Sequence, residues 1–150
     1  MKKYFVIFIL LTCLTGCNKD KYFTCKIDLY NELQEYKLDS IYKVYYEDSY
    51  VIKIEKKEIY MSELEDTLKY LNQYKILEYE NINNLYGKVE YSVKTKENEI
   101  IITSLYDMSL IDLNKMVKDN YIDSNYVSSN KLTIGGIKNI YKEKGAICDI

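Results

Sequence analysis

Four cysteines are the residues of this chain best suited to covalent chemistry. Cys13 and Cys17 lie close together near the start of the sequence, whereas Cys25 and Cys148 lie towards opposite ends of the remainder. A cysteine sulfur can act as a nucleophile, ligate a metal or form a disulfide. The chain has no histidine, which excludes Cys-His and Ser-His-Asp catalysis and nearly excludes ordinary zinc sites. We therefore predict no catalytic, cofactor-binding or metal-ligating residues.

The N-terminal segment indicates a different role for Cys17. Met1-Lys2-Lys3 precedes an apolar run over residues 4–13, and Leu14-Thr15-Gly16-Cys17 follows it. A charged start, a short apolar run and small residues before a cleavage point are typical of a secretory signal. Leu14, Thr15, Gly16 and Cys17 resemble the lipobox of bacterial lipoproteins. The resemblance implies that Cys17 becomes the first mature residue and carries a diacylglyceryl thioether.

This interpretation divides the chain into three parts. Residues 1–16 are expected to be a signal peptide, residues 17–21 the lipidated cysteine with a short tether, and residues 22–150 a single α+β domain. The protein would then be held by lipid on the outer face of the cytoplasmic membrane. Ordinary secretion and a membrane-spanning helix are the alternatives, although an apolar run of about ten residues is half of what a spanning helix needs.

Cys25 and Cys148 remain after the signal is removed. An even pair of cysteines in an exported protein predicts a disulfide. Two free thiols or a redox-active pair are the alternatives, but the chain has no Cys-x-x-Cys motif to support the second. A bridge over such a long loop would contribute about 4–5 kcal/mol in the chain-entropy model.

Composition limits the classes of partner. The formal net charge of the full chain is −2. Removal of residues 1–16 takes away two lysines and no acid, so the mature charge is about −4 by formal counting. An acidic chain without arginine is poorly suited to nucleic acid or to bidentate recognition of phosphate. We expect a monomer that contacts the bilayer through acylated Cys17 and binds an envelope protein or a small ligand.

Hydrophobic periodicity predicts strands and helices in turn. Alternation indicates a first strand near residues 22–29, and Ser62 with Glu65 has the spacing of a helix capping box. Thr133 is the expected N-cap of the last helix and Gly145 its stop. The predicted elements are hairpins at about 36–59 and 87–106, helices at about 62–79, 109–118 and 133–144, and a mobile loop at 119–131. This is an α+β fold, with an antiparallel sheet and helices packed mainly on one face.

Several polar or aromatic clusters have both a functional and a structural interpretation. The acidic cluster consists of Glu63, Glu65 and Asp66. It could bind a cation, but its position at a helix start favours interaction with the helix dipole. The polar loop contains Asp119, Asp123 and Asn125 but lacks the spacing of a calcium-binding loop. The tyrosines near the first hairpin turn, Tyr45, Tyr46 and Tyr50, could stack on a ligand or simply replace phenylalanine in the core.

The whole layout resembles small lipoproteins of low-GC Gram-positive bacteria with the arrangement of the YehR-like group. The features that carry this resemblance are the lipobox, Cys25, the hairpin containing residues 42–48, the capped helix, the second hairpin and the closing Leu132-Thr133-Ile134 helix with Gly145-Ala146-x-Cys148. The resemblance implies an α+β lipoprotein fold with a terminal disulfide. It carries over no catalytic residue.

The function expected from these observations is a non-enzymatic binding or interaction module at the cell envelope. The first alternative is a structural or assembly factor that docks a membrane partner protein. An enzyme that uses only carboxylates or tyrosine is a second alternative. A cleft lined by tyrosine and leucine would indicate the first function, and a flat exposed apolar patch would indicate the assembly factor.

Overall fold

A six-stranded antiparallel sheet forms the centre of the computed structural model, which describes residues 21–149. Its strands, numbered along the chain, are β1 (Lys21–Asn31), β2 (Tyr36–Glu47), β3 (Tyr50–Met61), β4 (Gly87–Lys96), β5 (Glu99–Ile111) and β8 (Ile147–Cys148). The strand order is β4-β5-β3-β2-β1-β8. Two short strands, β6 (Val127–Ser128) and β7 (Lys131–Leu132), form a separate hairpin. The α+β architecture predicted from the sequence is therefore confirmed.

One face of the large sheet is covered by helices. The helices are α1 (Glu65–Leu85), α2 (Leu113–Lys118) and α3 (Ile134–Glu143). Alternate residues of each strand point into one shared core with the apolar faces of these helices, as expected for an antiparallel sheet with one wet face. Within residues 21–149, no helix is long and apolar enough to cross a membrane.

The first helix differs from the prediction at both ends. It begins at Glu65, and the N-cap is Leu64, which has no side-chain capping hydrogen bond. The capping box expected at Ser62 is wrong, because the Ser62 hydroxyl instead donates to the Glu35 carbonyl at 2.8 Å. The helix also continues through the asparagine-rich segment to Leu85, because Ile82 reaches the core on the same face as Leu71.

The second helix is shorter than predicted. Residues 109–111 belong to β5, and α2 begins after Asp112, whose carboxylate accepts a hydrogen bond from the Lys115 amide at 2.9 Å. Ser109 does not start a helix, since its amide and hydroxyl both donate to Asp107. The second hairpin accordingly extends to Ile111.

The last helix has the predicted caps. The Thr133 hydroxyl accepts a hydrogen bond from the Gly136 amide at 2.9 Å. Gly145 follows the C-cap with a φ of +83°, a conformation that glycine adopts at little cost. The segment 119–131, predicted to be a mobile loop, instead contains a 3-10 turn at Ser124–Tyr126 and the β6–β7 hairpin.

A disulfide joins Cys25 in β1 to Cys148 in β8. The two residues are direct neighbours in the antiparallel ladder, with Cα atoms 3.9 Å apart. Cys25 is completely buried on the helix-covered face. The bridge therefore attaches the short edge strand β8 to β1, in agreement with the disulfide predicted from the sequence.

Candidate functional site

An ion pair lies buried between the sheet and the helices. On β3, Lys56 and Glu58 alternate with outward residues and so lie on the same inward face as Ile54 and Tyr60. The Lys56 ammonium is 3.1 Å from a Glu58 carboxylate oxygen, and the two side chains are only 11% and 3% exposed. Buried charges of this kind are costly unless they are paired. The other polar groups around this pair therefore decide whether the charges are stable in the core.

Helix α1 adds a second pair of charges. Lys75 and Glu78 lie on the helix face that also carries Leu71 and Tyr79, because residues three and four apart share a face. The Lys75 ammonium is 2.7 Å from Glu78 and 3.8 Å from Glu58. The layer between sheet and helix thus contains an alternating chain of charges running from Lys56 through Glu58 and Lys75 to Glu78.

Tyrosine hydroxyls complete the hydrogen bonding of Glu58. Tyr60 donates to one carboxylate oxygen at 3.2 Å, and Tyr79 lies 3.4 Å from the other. The Tyr79 hydroxyl also contacts the Ser104 hydroxyl at 3.1 Å. Burial raises the pKa of Tyr60 and Tyr79, and the negative charge of Glu58 raises both pKa values further. Both phenols therefore remain protonated donors at neutral pH.

The protonation of Lys56 limits the chemistry of the site. Burial lowers the pKa of Lys56, but Glu58, Tyr106, Tyr42 and Glu78 together outweigh this effect, and the pKa is raised overall. A lysine acts as a nucleophile or a base only when its pKa is depressed. Lys56 is therefore a fixed cation and hydrogen-bond donor, which suits binding of an anion better than covalent chemistry.

A cavity of about 130 Å³ lies beside this network. Most of its wall is aliphatic, and its polar groups are concentrated at one side. The aliphatic wall includes Ile54, Ile82, Met116, Ile137 and Ile140, and the polar side includes Lys56, Glu78, Tyr106, Tyr121, Tyr141 and Lys144. A mainly apolar cavity with a few convergent polar groups is the usual form of a small-molecule site.

Tyr141 and Lys144 are two polar residues of this wall that differ in exposure. Tyr141 is 6% exposed, and its ring stacks on Tyr42 with centroids 4.3 Å apart. Among residues 21–149, its hydroxyl makes no hydrogen bond and the Lys144 ammonium makes no ion pair. Lys144 is exposed at the rim. The protein around this exposed side chain partly desolvates its ammonium, and this effect and the neighbouring charge of Lys56 lower the pKa of Lys144.

The acidic cluster predicted at the start of α1 does not assemble into a site. Glu65 pairs with Lys69 at 2.9 Å, and Glu63 accepts a hydrogen bond from Asn98 at 3.2 Å. Both interactions lie at the surface and are typical of a helix start. In the part of the chain that the structure describes, no group of three His, Cys, Asp or Glu residues is arranged to hold a metal.

The polar loop residues are used in local structure. Asp123 accepts a hydrogen bond from the Asn125 amide at 2.8 Å and so caps the 3-10 turn. Asp119 is the C-cap of α2. The three residues Asp119, Asp123 and Asn125 therefore do not share a set of converging oxygen atoms in an obvious calcium-binding arrangement.

The three tyrosines near the first hairpin turn do not form one exposed patch. Tyr45 lies on the open face of the sheet, where Lys43, Lys53 and Tyr22 cover it and leave it 7% exposed. Tyr46 and Tyr50 are partly buried, and Tyr46 packs towards Phe23 on the opposite face. The exposed aromatic residue of this region is Tyr22.

The lipobox residues Leu14, Thr15, Gly16 and Cys17 lie outside the described residues. Analysis of the sequence also missed the cavity residues. A signal for them was present, since Lys56 and Glu58 occupy inward positions of an alternating strand and Lys75 follows Leu68 and Leu71 at helical spacing. Charges at core positions of both elements could have indicated a buried network.

Comparison with known proteins supports the fold but not a function. No protein-family model matches the chain, and no curated protein matches it. The solution structure of YehR from Escherichia coli has a TM-score of 0.53 and 14% identity, with 87% of this chain and 92% of YehR covered. A protein from Streptococcus pneumoniae has a TM-score of 0.46 and 15% identity, with 89% and 88% covered. At this identity, the similarity to YehR shows a shared fold alone.

Proposed function

We propose that this protein is a lipid-anchored, non-enzymatic binding module on the outer face of the cytoplasmic membrane. The anchor would be Cys17, and the binding site would be the cavity between β3, α1 and α3. The sequence from Leu14 to Cys17 supports the location, because it follows the order expected of a lipoprotein signal. A lipid anchor would hold the domain near the membrane and leave the cavity available for a ligand.

The single observation that carries the binding role is the composition of the cavity, which is mainly aliphatic and has its polar groups at one side. Tyr141 and Lys144 belong to this polar side, and their side chains have no protein hydrogen-bond or ion-pair partner among residues 21–149. A bound molecule would satisfy both groups while its apolar part contacts the aliphatic wall.

Metabolic labelling with a palmitate analogue tests the anchor. We expect the wild-type protein and a Cys13→Ala variant to be labelled and to fractionate with membranes, because residue 13 would be removed with the signal. A Cys17→Ala variant should lose both properties, since the thioether requires that sulfur. Labelling of the Cys17→Ala variant would contradict the proposed anchor.

A thermal-shift screen of the full-length protein in lipid nanodiscs tests the binding role. Envelope metabolites, short peptides and glycans are suitable ligands for the screen. A ligand at 100 times its dissociation constant should stabilise the fold by about 2.7 kcal/mol. An Ile140→Trp variant should fill the cavity and abolish the shift, whereas Ile147→Trp, at an exposed position, should retain it. Shifts that persist in Ile140→Trp would place the site elsewhere.

A second candidate function is that of an assembly factor that docks a membrane protein. The open face of the sheet supports it, since Ile41, Lys57, Ser92 and Thr103 are exposed around a shallow depression there. A photo-crosslinker at Ser92 should then capture one partner of defined mass in intact membranes, and Ile41→Asp should prevent the capture. Crosslinking that Ile41→Asp leaves unchanged would argue against a specific partner on this face.

A further inference from the structure

We propose that the cavity binds a small carboxylate whose apolar part is a short branched chain. The proposal rests on the binding function proposed above and names its ligand class. Two features of the cavity support it: the donors without a protein partner on its polar side and its small volume. The carboxylate would accept hydrogen bonds from Tyr141 and Lys144, and the branched chain would contact Ile82, Met116 and Ile137.

The charges of the layer favour an anion. Among the described residues, the charged groups that line the cavity are Lys56, Glu78 and Lys144, and Lys56 and Glu78 pair in turn with Glu58 and Lys75. This set holds three positive and two negative charges. Glu78, which lines the cavity, would repel an anion, but its carboxylate is held by Lys75 at 2.7 Å. Each ammonium carries three donors, and Glu58 at 3.1 Å is the only carboxylate within ion-pair distance of Lys56 in the part of the chain described.

The Tyr141 hydroxyl provides the specific contact. The Tyr141 side chain lines the cavity and is 6% exposed, and its hydroxyl has no protein hydrogen-bond partner within residues 21–149. Its pKa is raised, first by burial, so the phenol is a donor at neutral pH. A protonated phenol beside an ammonium is a suitable pair for one carboxylate, because charge-assisted hydrogen bonds are the stronger ones.

The volume restricts the apolar part of the ligand. An apolar cavity of about 150 Å³ holds a single benzene ring. The cavity here measures about 130 Å³, so it fits a chain of four or five carbons or one small ring. A long acyl chain would leave most of its length outside the cavity. We therefore take the ligand to be a free short-chain acid.

Calorimetric titration of the full-length protein in nanodiscs of neutral phosphatidylcholine tests the proposal. Three probes of the same shape differ only in the polar group: isovalerate, isovaleramide and isoamylamine. We expect isovalerate to bind saturably, and the amide and the amine to bind at least about tenfold more weakly, as expected for loss of a charge-assisted contact. Neutral lipid ensures that the membrane surface does not itself attract or repel the charged probes.

Three substitutions locate the contacts. Tyr141→Phe removes one hydroxyl but retains the ring that stacks on Tyr42, and we expect affinity for isovalerate to fall about tenfold. Lys144→Gln should weaken binding similarly and, at an exposed position, should leave the melting temperature unchanged. Lys142→Gln, on the same helix but outside the cavity wall, is the matched control and should bind like the wild type.

The possible outcomes distinguish this proposal from the binding function on which it rests. If the amide or the amine binds as tightly as isovalerate, the carboxylate class is wrong but the cavity remains a binding site. If isovalerate binds and Lys144→Gln binds it equally well, the assigned contacts are wrong. If none of the probes binds, and the Ile140→Trp variant gives the same thermal shifts as the wild type in the ligand screen, the cavity holds only water and both proposals fail.

Discussion

Lys56 and Lys57 are neighbours in sequence but lie on opposite faces of β3. Lys56 contacts Glu58 in the core, whereas Lys57 is exposed on the open face of the sheet. We expect Lys56→Met to lower the free energy of unfolding by about 3 kcal/mol, because it leaves the Glu58 carboxylate buried with fewer partners. Urea denaturation measures this change.

Lys57→Met is the control for this substitution. A surface replacement of this kind should change the free energy of unfolding by less than about 0.5 kcal/mol. Equal effects of the two substitutions would mean that the Lys56–Glu58 pair does not contribute to stability. A stabilising effect of Lys56→Met would show that Tyr60, Tyr79 and Lys75 satisfy Glu58 on their own.

Glu78 should make stability depend on pH in the acid range. Burial raises the pKa of Glu78, but its ion pair with Lys75 and the charges of Lys56 and Lys144 together outweigh this effect, and the pKa is lowered overall. A carboxylate with a lowered pKa in the folded state contributes stability above its unfolded pKa, which is about 4.3, and this contribution is lost as the pH falls through the folded pKa.

We therefore expect Glu78→Gln to destabilise the protein at pH 7 and to have a smaller effect at pH 3. Urea denaturation of both proteins at each pH gives the difference. Glu80→Gln, at an exposed position two residues along the helix, is the matched control. A Glu78→Gln effect that is equal at the two pH values would contradict an electrostatic role of this residue.

At the level of single residues, the sequence predicted the disulfide but not the buried network. The pairing of Cys25 with Cys148 could be predicted because these two cysteines remain once Cys13 and Cys17 are assigned to the signal peptide and the anchor. An even pair in a protein expected to be exported predicts a disulfide. The network around Glu58 depends on which charges of β3 face inward, and this depends on strand register. A bulge between Tyr45 and Tyr46 shifts the pairing with β3, so Val51 is buried and Ile52 is exposed.

The first turn of helix α3 contains two glycines that differ in their surroundings. A Cβ added to Gly136 would lie 2.6 Å from Tyr126 Cβ, whereas one added to Gly135 would meet nothing within 4 Å. We expect Gly135→Ala to raise the free energy of unfolding by up to about 1 kcal/mol, because alanine favours helix. Gly136→Ala should lower it, because the Tyr126 backbone must move away.

Thermal unfolding of these two variants provides an internal control, since both replace glycine by alanine in the same helical turn. A gain in melting temperature for both would mean that Tyr126 moves without cost. A loss for both would mean that the start of α3 must remain flexible. Opposite changes would confirm that the close approach of α3 to the 3-10 turn requires glycine at position 136 alone.

The boundaries of elements were predicted well where one local signal decided them. Thr133 and Gly145 limit α3 as expected, because a cap requires only a few neighbouring atoms. The end of α1 was predicted too early, because asparagine favours loops in isolation. Packing of Ile82 in the core overrides that preference and extends the helix. The helix propensities of the residues near the end of α1 therefore could not predict where the helix ends.

At the scale of the whole molecule, the sequence predicted the fold class but not the strand order. The two hairpins follow from alternation and short turns. The pairing of β3 with β5 joins them across α1, and the pairing of β1 with β8 joins residues from the two ends of the described chain. These contacts depend on tertiary packing and have no local signature, although the two cysteines did indicate that the ends meet.

The disulfide should determine how stable the whole sheet is. Cys25 and Cys148 are separated by 123 residues, and β8 contributes only two residue pairs to the sheet. A crosslink over a loop of this length removes much conformational entropy from the unfolded chain, whereas the short β8 ladder adds little stability by itself. The stabilisation should therefore come mainly from the covalent bond.

We expect the double variant Cys25→Ala, Cys148→Ala to lose about 4–5 kcal/mol of unfolding free energy according to the chain-entropy model. A reducing agent should destabilise the wild type by a similar amount and leave the double variant unchanged, since a thioether at Cys17 would not be reduced. Urea denaturation with and without reductant measures both effects. If reduction does not change the stability of the wild type, the bond only positions β8, and the remaining sheet and helices hold the fold together without it.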